Sequence, residues 1–356
     1  QASSPPDRTR VPEMLGAPFL GAVLHSLLSC SVSAVKFAEE APHHGSRRNT
    51  PKYARFGPKS DIETVWQRPS GPVKGILFFA HGCRHQATDM WTDVGPDGWK
   101  FSECKKSNYK ACLGLPAEAM LRQRMRQKGY VVVAVSGGTG ARDCWDPDVD
   151  AGRAKIALDE VRNEEELHTE PLILIGSSSG GGFMGELVLQ DLNNVSCVVP
   201  MLSSITVYRD YPLNVPALFI HMERDKLTMD SVRRNMDELN TMGVRADEVV
   251  VKPVPVTENF LLHGGYGIPR ATAERIISSL EETGMLDADG LLTADPRDSN
   301  WRDSIQSVSG LETEVGGVGL DTSRLSELLN IAYAKHESVA YPDHIIEFCE
   351  LSWLMQ

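Results

Sequence analysis

Beyond residue 50 the chain alternates short aliphatic runs with segments whose apolar positions recur at helical spacing. Asp61–Trp66 alternates apolar and polar positions and reads as a half-buried early strand. Gly75–Ala80 and Tyr130–Val135 are apolar almost throughout, the pattern of strands covered on both faces. Pro171–Ile175, Cys197–Leu202 and Val215–His221 repeat it downstream. Between them lie helical segments: Ala117–Lys128, opened by Pro116 and closed by Gly129, then Arg153–His168, Phe183–Gln190 and Ser231–Met242. Glu248–Val256 carries Pro253 and Pro255, which suit an edge strand or a strand end better than a central strand. Such alternation predicts a mostly parallel sheet flanked by helices. Residues 257–330 break the rhythm, with a helix over Ala271–Glu282 and a glycine-rich linker at Val315–Gly319. Helical Leu325–Lys335 and Asp343–Leu354 end the chain. No internal repeat is visible.

One junction in this pattern carries chemistry. The aliphatic run Pro171–Ile175 enters Gly176-Ser177-Ser178-Ser179-Gly180, a Gly-x-Ser-x-Gly sequence, and a helical segment follows it. That context predicts a nucleophile elbow, a sharp strand-to-helix turn that exposes the central hydroxyl. The elbow serine is Ser178, and the Ser179 amide is placed to help hold an oxyanion. A glycine-rich turn cradling phosphate is the alternative, but no Gly-Lys-Ser/Thr follows.

Acyl transfer from a serine also needs a base, a carboxylate that orients the base, and further oxyanion donors. In this type of site the chain order is Ser, then Asp or Glu, then His. Asp225 follows the Val215–His221 strand and is the candidate acid, with Glu223 as fallback and helix capping as its structural role. The loop His81-Gly82-Cys83-Arg84 follows the Phe-rich strand, and its Cys83 amide is the candidate second oxyanion donor. Two histidines fit the base. His263 follows the last strand closely, whereas His336 comes later, ahead of a loop and a terminal helix. His336 is favoured, which makes 257–330 an insertion before the base and a candidate lid. His221 and His344 read as structural.

Two metal-like patterns give way to simpler accounts. His81, Cys83 and His85 form a His-x-Cys-x-His cluster, but no second ligand group accompanies it. Asp143–Asp150 resembles a calcium loop, yet its glycine is displaced and Ala157 stands where a bidentate Glu is needed; an acidic helix cap accounts for it. No metal or cofactor is expected.

Composition bounds the partners. The 356 residues are 41% hydrophobic, with a formal net charge of −12 and no basic stripe, which argues against nucleic acid. Residues 1–50 differ from the rest and read as a targeting or disordered segment ahead of one domain over 51–356. Within them, residues 17–35 are apolar but interrupted by His25, Pro18 and several serines, a poor spanning helix. They read either as a signal-peptide core, with Val32-Ser33-Ala34 as cleavage site, or as an N-terminal packed helix. The first reading implies the secretory pathway or an organelle, the second the cytoplasm. Seven cysteines are too few for a disulfide scaffold at this length. In an oxidising compartment Cys104 could pair with Cys112, and Cys83 and Cys144, each following a strand, could be neighbours. Asn194-Val195-Ser196 is a glycosylation sequon relevant only there.

These residues resemble a group of plant and algal proteins in the α/β-hydrolase superfamily. The resemblance runs from about residue 60 to the C-terminus. It rests on Ala80–Cys83 with Asp89 and Trp91, Cys112–Pro116, Asp143–Trp145, Gly176–Gly181, the Asp225 loop and Ala332–Glu337. It implies the α/β-hydrolase fold and, because the late His-Glu segment is retained in that group, His336 over His263. It implies no substrate.

The chain is therefore expected to be an α/β-hydrolase-fold serine hydrolase. It would cleave an ester, less readily an amide, of a small molecule through an acyl-enzyme, using Ser178, Asp225 and His336 with the amides of Cys83 and Ser179. A non-catalytic hydrolase-like scaffold that binds a ligand or partner under residues 257–330 is the alternative, and a peptidase of related fold is a third.

Overall fold

The computed structural model describes residues 50–95, 98–105, 112–138, 143–208, 215–306, 308, 320–335 and 341–354. The first forty-nine residues, and with them the apolar stretch and cleavage sequence singled out above, lie outside the described residues, as does His336.

Eight strands form one sheet in the order β1-β2-β4-β3-β5-β6-β7-β8. They are β1 (Lys52–Phe56), β2 (Ile62–Gln67), β3 (Gly75–Ala80), β4 (Tyr130–Val135), β5 (Leu172–Ser177), β6 (Val195–Met201), β7 (Ala217–Met222) and β8 (Ala246–Val251). β1 pairs antiparallel with β2, and β2 antiparallel with β4; every other neighbour is parallel. This order and these directions are those of the α/β-hydrolase fold. β3 and β4 occupy the spans predicted for them. β8 is an edge strand and stops at Val251, ahead of Pro253 and Pro255. The sequence pattern missed β1: its Lys-Tyr-Ala-Arg-Phe carries two charges on a half-solvated outer edge, where little of the side-chain surface has to be buried.

The helices over the sheet are α1 (Pro116–Gln127), α2 (Pro147–Glu165), α3 (Ser179–Leu187), α4 (Lys226–Thr241), α5 (Glu258–Leu262), α6 (Arg270–Glu282), α7 (Trp301–Ser304), α8 (Arg324–Tyr333) and α9 (Pro342–Leu354). Ile76 and Phe78 of β3 share a core with α2, α3 and α4 on one face, while Leu77 and Phe79 pack with α1 and α9 on the other. Two-sided burial is why the central strands read as unbroken aliphatic runs. α2 and α4 each start five or six residues before the predicted span, because Asp146 and Asp225 cap them. None of the described helices is long and apolar enough to cross a membrane.

The segment that broke the rhythm builds a third core of its own, from Leu261, Ile276, Trp301, Ile305, Leu325 and Leu329 among others. Its two ends meet: the Val254 amide, just before it, donates to the Ala332 carbonyl at 3.0 Å, near its exit.

Six cysteines pair as Cys83–Cys144, Cys104–Cys112 and Cys197–Cys349. Two of these pairs were foreshadowed by position. The third joins β6 to α9 across 152 residues and could be seen only once the chain had folded.

Candidate active site

The parallel strands all end on one edge, and the loops there bring the candidate residues together. Ser178 stands between the last residue of β5 and the first of α3, with φ 52° and ψ −115°. For a residue with a Cβ this is a strained backbone, costing about 1–3 kcal/mol. Packing enforces it: a Cβ on Gly176 would collide with the Gly180 carbonyl, and one on Gly180 with the carbonyl of Ala80 at the end of β3. The Ser178 amide is fixed by the Met201 carbonyl at 2.8 Å, and its side chain is exposed. The serine is thus rigidly held and accessible. Ser179 is the first residue of α3, so its amide has no intrahelical acceptor and points out at the helix start.

Asp225 lies on the same edge, two strands away. Ser177 of β5 is in register with Met201 of β6, and Met201 with Ile220 of β7, five residues before the acid. Asp225 caps α4: its carboxylate accepts from the Thr228 amide at 3.2 Å and from the Thr228 hydroxyl at 2.6 Å. Both the capping role and the site position are therefore present. A carboxylate has lone pairs for a further donor. Thr228 is a partner the sequence did not flag, although a hydroxyl three residues after a capping Asp is a readable signal.

The loop after β3 is braced from several directions. His81 is 1% exposed and engaged at both ring nitrogens. The Gly137 amide donates to Nε2 at 3.2 Å, so Nδ1–H donates to the Gly82 carbonyl at 2.7 Å. Burial pushes its pKa down to about 4 and keeps the ring neutral. Trp145 donates its indole N–H to the His81 carbonyl and stacks on Phe183 of α3. The Arg84 amide donates to the Asp143 carbonyl beside the Cys83–Cys144 bond. These contacts also decide the metal question for this cluster: the Cys83 sulfur is in a disulfide and both His81 nitrogens are taken. Among the described residues no group of three His, Cys, Asp or Glu could hold a metal ion. The Asp143–Asp150 segment is the helix cap anticipated, with Asp146 accepting from the Asp148 amide.

A methyl group added to Gly82 would lie 3.6 Å from Ser178 Cβ and 3.8 Å from His85 Cδ2. Gly82 therefore abuts the serine, and the His85 ring stands beside Gly82. The sequence reading treated His85 only as a possible ligand; its pairing with Asp89, at 3.3 Å, went unread.

His263 caps α5 in a left-handed conformation with φ 40°. Its ring is held near a pKa of about 4 by burial, and its Nε2 is buried with no hydrogen-bond partner. That nitrogen bonds neither Ser178 nor Asp225. His221, buried in β7, pairs with Glu248 of β8 at 2.7 Å, a structural cross-strand contact. For His336 the described residue two positions before it, Ala334, accepts from the Arg224 amide at 3.0 Å, next to Asp225.

No family model matches the chain, and no curated protein matches it. Among solved structures it is similar to a thermostable carboxyl esterase from Bacillus coagulans, with 10% identity, a TM-score of 0.42, and 57% of this chain and 90% of that one covered. Carboxyl esterase 2 of Tuber melanosporum aligns at 14% identity and TM-score 0.39 over 57% and 76% of the two chains. A lipase in its open form aligns at 10% and 0.40 over 57% and 90%. The fold and the placement of individual residues rest on the chain's own strand order and geometry.

Proposed function

We propose that the protein is a serine hydrolase that cleaves a carboxylic ester through an acyl-enzyme. The observation that carries this reading is the strained, exposed Ser178 between β5 and α3. A structural serine has no reason to hold that backbone.

In the proposed reaction Ser178 Oγ attacks the ester carbonyl carbon while His336 takes the hydroxyl proton. Negative charge moves to the carbonyl oxygen, where the Cys83 and Ser179 amides receive it. Collapse of the tetrahedral adduct breaks the bond to the alcohol, and His336 returns the proton to that oxygen. A water molecule then repeats the sequence on the acyl-enzyme, releasing the acid and restoring Ser178. Asp225 orients His336 and offsets its charge. The Arg224–Ala334 hydrogen bond supports this choice of base, because it ties the segment leading to His336 to the acid loop. The late His-Glu sequence shared with the plant and algal group supports it too. Esters are preferred over amides because alkoxides leave more easily than amines.

Residues 257–330, with a core of their own, act in this reading as a cap that shapes the substrate pocket. The three disulfides support folding in an oxidising compartment, the secretory reading of the N-terminal segment.

The test is fluorophosphonate labelling of the parent protein alongside Ser178→Ala, His336→Ala and His263→Ala. Labelling lost with Ser178→Ala and His336→Ala, but kept with His263→Ala, is the expected result. A folded parent that takes no label, with residues 257–330 removed as a barrier by limited proteolysis, points instead to a ligand-binding scaffold.

A further inference from the structure

His85 and Asp89 form an imidazole–carboxylate couple beside Gly82, the residue that abuts Ser178. Asp89 is 1% exposed. Its Oδ2 faces His85 Nδ1 at 3.3 Å and accepts from the Gln86 amide at 3.1 Å. Its carbonyl accepts from the Leu115 amide at 3.0 Å, which anchors it to the start of α1. The other carboxylate oxygen, Oδ1, is buried with no hydrogen-bond partner. A buried carboxylate in that state is costly, and a neutral amide would cap the same turn at less cost. Besides capping the turn, the carboxylate reaches the His85 ring.

The His85 amide donates back to the Gly82 carbonyl at 3.3 Å, closing the turn that presents the Cys83 amide. The edge of its ring opposite Nδ1 lies against Gly82, whose Cα in turn faces Ser178. The His85 ring, itself held by Asp89, is thus one of the supports of Gly82 and Cys83 next to the serine. On the far side the Cys83–Cys144 bond holds the same turn.

We propose that Asp89 is a positioning residue for acyl transfer: through His85 it fixes the Gly82–Cys83 edge of the oxyanion pocket against Ser178. This rests on the reading of Ser178 as nucleophile and of the Cys83 amide as oxyanion donor. A donor displaced by a fraction of an ångström stabilises the transition state less while leaving ground-state binding almost intact.

The experiment compares the parent, Asp89→Asn, His85→Gln and His85→Ala, using p-nitrophenyl acetate as substrate and phenylboronic acid as a tetrahedral-adduct probe. Asn keeps an acceptor for the Gln86 amide but removes the charge. Asp89→Asn and His85→Ala should lower kcat by about 10- to 100-fold with KM held within about twofold. Boronate affinity should weaken in step with kcat, and His85→Gln, which can still donate to Asp89, should recover part of the loss. A purely structural Asp89 would lower the melting temperature without separating kcat from KM. Should Asp89→Asn fail to fold, the half-buried His85 variants decide. Unchanged kcat and boronate affinity in folded variants overturns the proposal while Ser178 stays labelled by fluorophosphonate. A parent that neither takes label nor turns over removes the underlying reading, and this proposal with it.

Discussion

The backbone amide of Arg224 donates to the carbonyl of Ala334 at 3.0 Å, and the Arg224 guanidinium lies 4.1 Å from the centre of the Tyr333 ring. The acid loop after β7 and the end of α8 are therefore joined across more than a hundred residues, one position before Asp225 and two before His336. His336→Ala should lower kcat by about 10⁴-fold, as loss of a triad member does. His263→Ala should leave kcat near the parent value. Steady-state kinetics on an activated ester distinguishes the two.

One substitution separates the observed capping role of Asp225 from its proposed role as the orienting acid. Asn caps a helix about as well as Asp, so Asp225→Asn should keep α4 and its contacts with Thr228. It cannot offset an imidazolium or hold the correct tautomer, so kcat should fall by about 10⁴-fold. Calorimetry paired with kinetics reads both effects. A matching fall in melting temperature and no fall in kcat would leave Asp225 as a cap alone.

The disulfides should divide in the same way. Cys83–Cys144 braces the turn that presents the Cys83 amide, so Cys83→Ser with Cys144→Ser should lower kcat by about 10-fold or more with little change in KM. Cys197–Cys349 ties β6 to α9 away from the serine. Replacing both with Ala should cost about 2–5 kcal/mol of stability and leave kcat unchanged at 25 °C. Denaturant titration and kinetics on the two double variants form the check.

Acid should weaken the fold before its carboxylates titrate. His81 and His263 are both held near a pKa of about 4 by burial, against 6.5 in the unfolded chain. Unfolding therefore takes up protons between about pH 6.5 and 4. The stability is fully present above that window and falls as the pH drops through it, by roughly 3 kcal/mol for His81. Urea midpoints at pH 7.5, 6.0 and 5.0 measure the decline. His263→Phe should flatten part of it.

Where the sequence spoke clearly, burial was the reason. β3 and β4 must hide both faces, so nearly every residue in them is apolar and their limits are sharp. The elbow was legible because close backbone approach at Gly176 and Gly180 leaves no freedom of residue type. β1 was silent because an edge strand with a solvated face can be built from almost anything. The helix starts were misplaced at polar caps, where no apolar periodicity marks the boundary, although Asp146-Pro147 is a readable start. The Cys197–Cys349 bond is a product of the tertiary fold that local spacing does not encode, whereas His85 and Asp89, four residues apart, are a local pair that could have been read.

The hydrogen bond from Val254 to Ala332 has a consequence for how this protein can change over evolutionary time. The segment between them enters and leaves the scaffold side by side, carries its own hydrophobic centre, and near its exit is tied by Arg324 and Glu327 to Leu113 and Ala117. It behaves as a cassette: lengthening, shortening or exchanging it alters neither strand order nor the path from the acid loop to the terminal helix. Each doubling of its length costs only about 0.6 kcal/mol in closure entropy. Sequence variation can accumulate there while the sheet and the loops around Ser178 and Asp225 stay as they are.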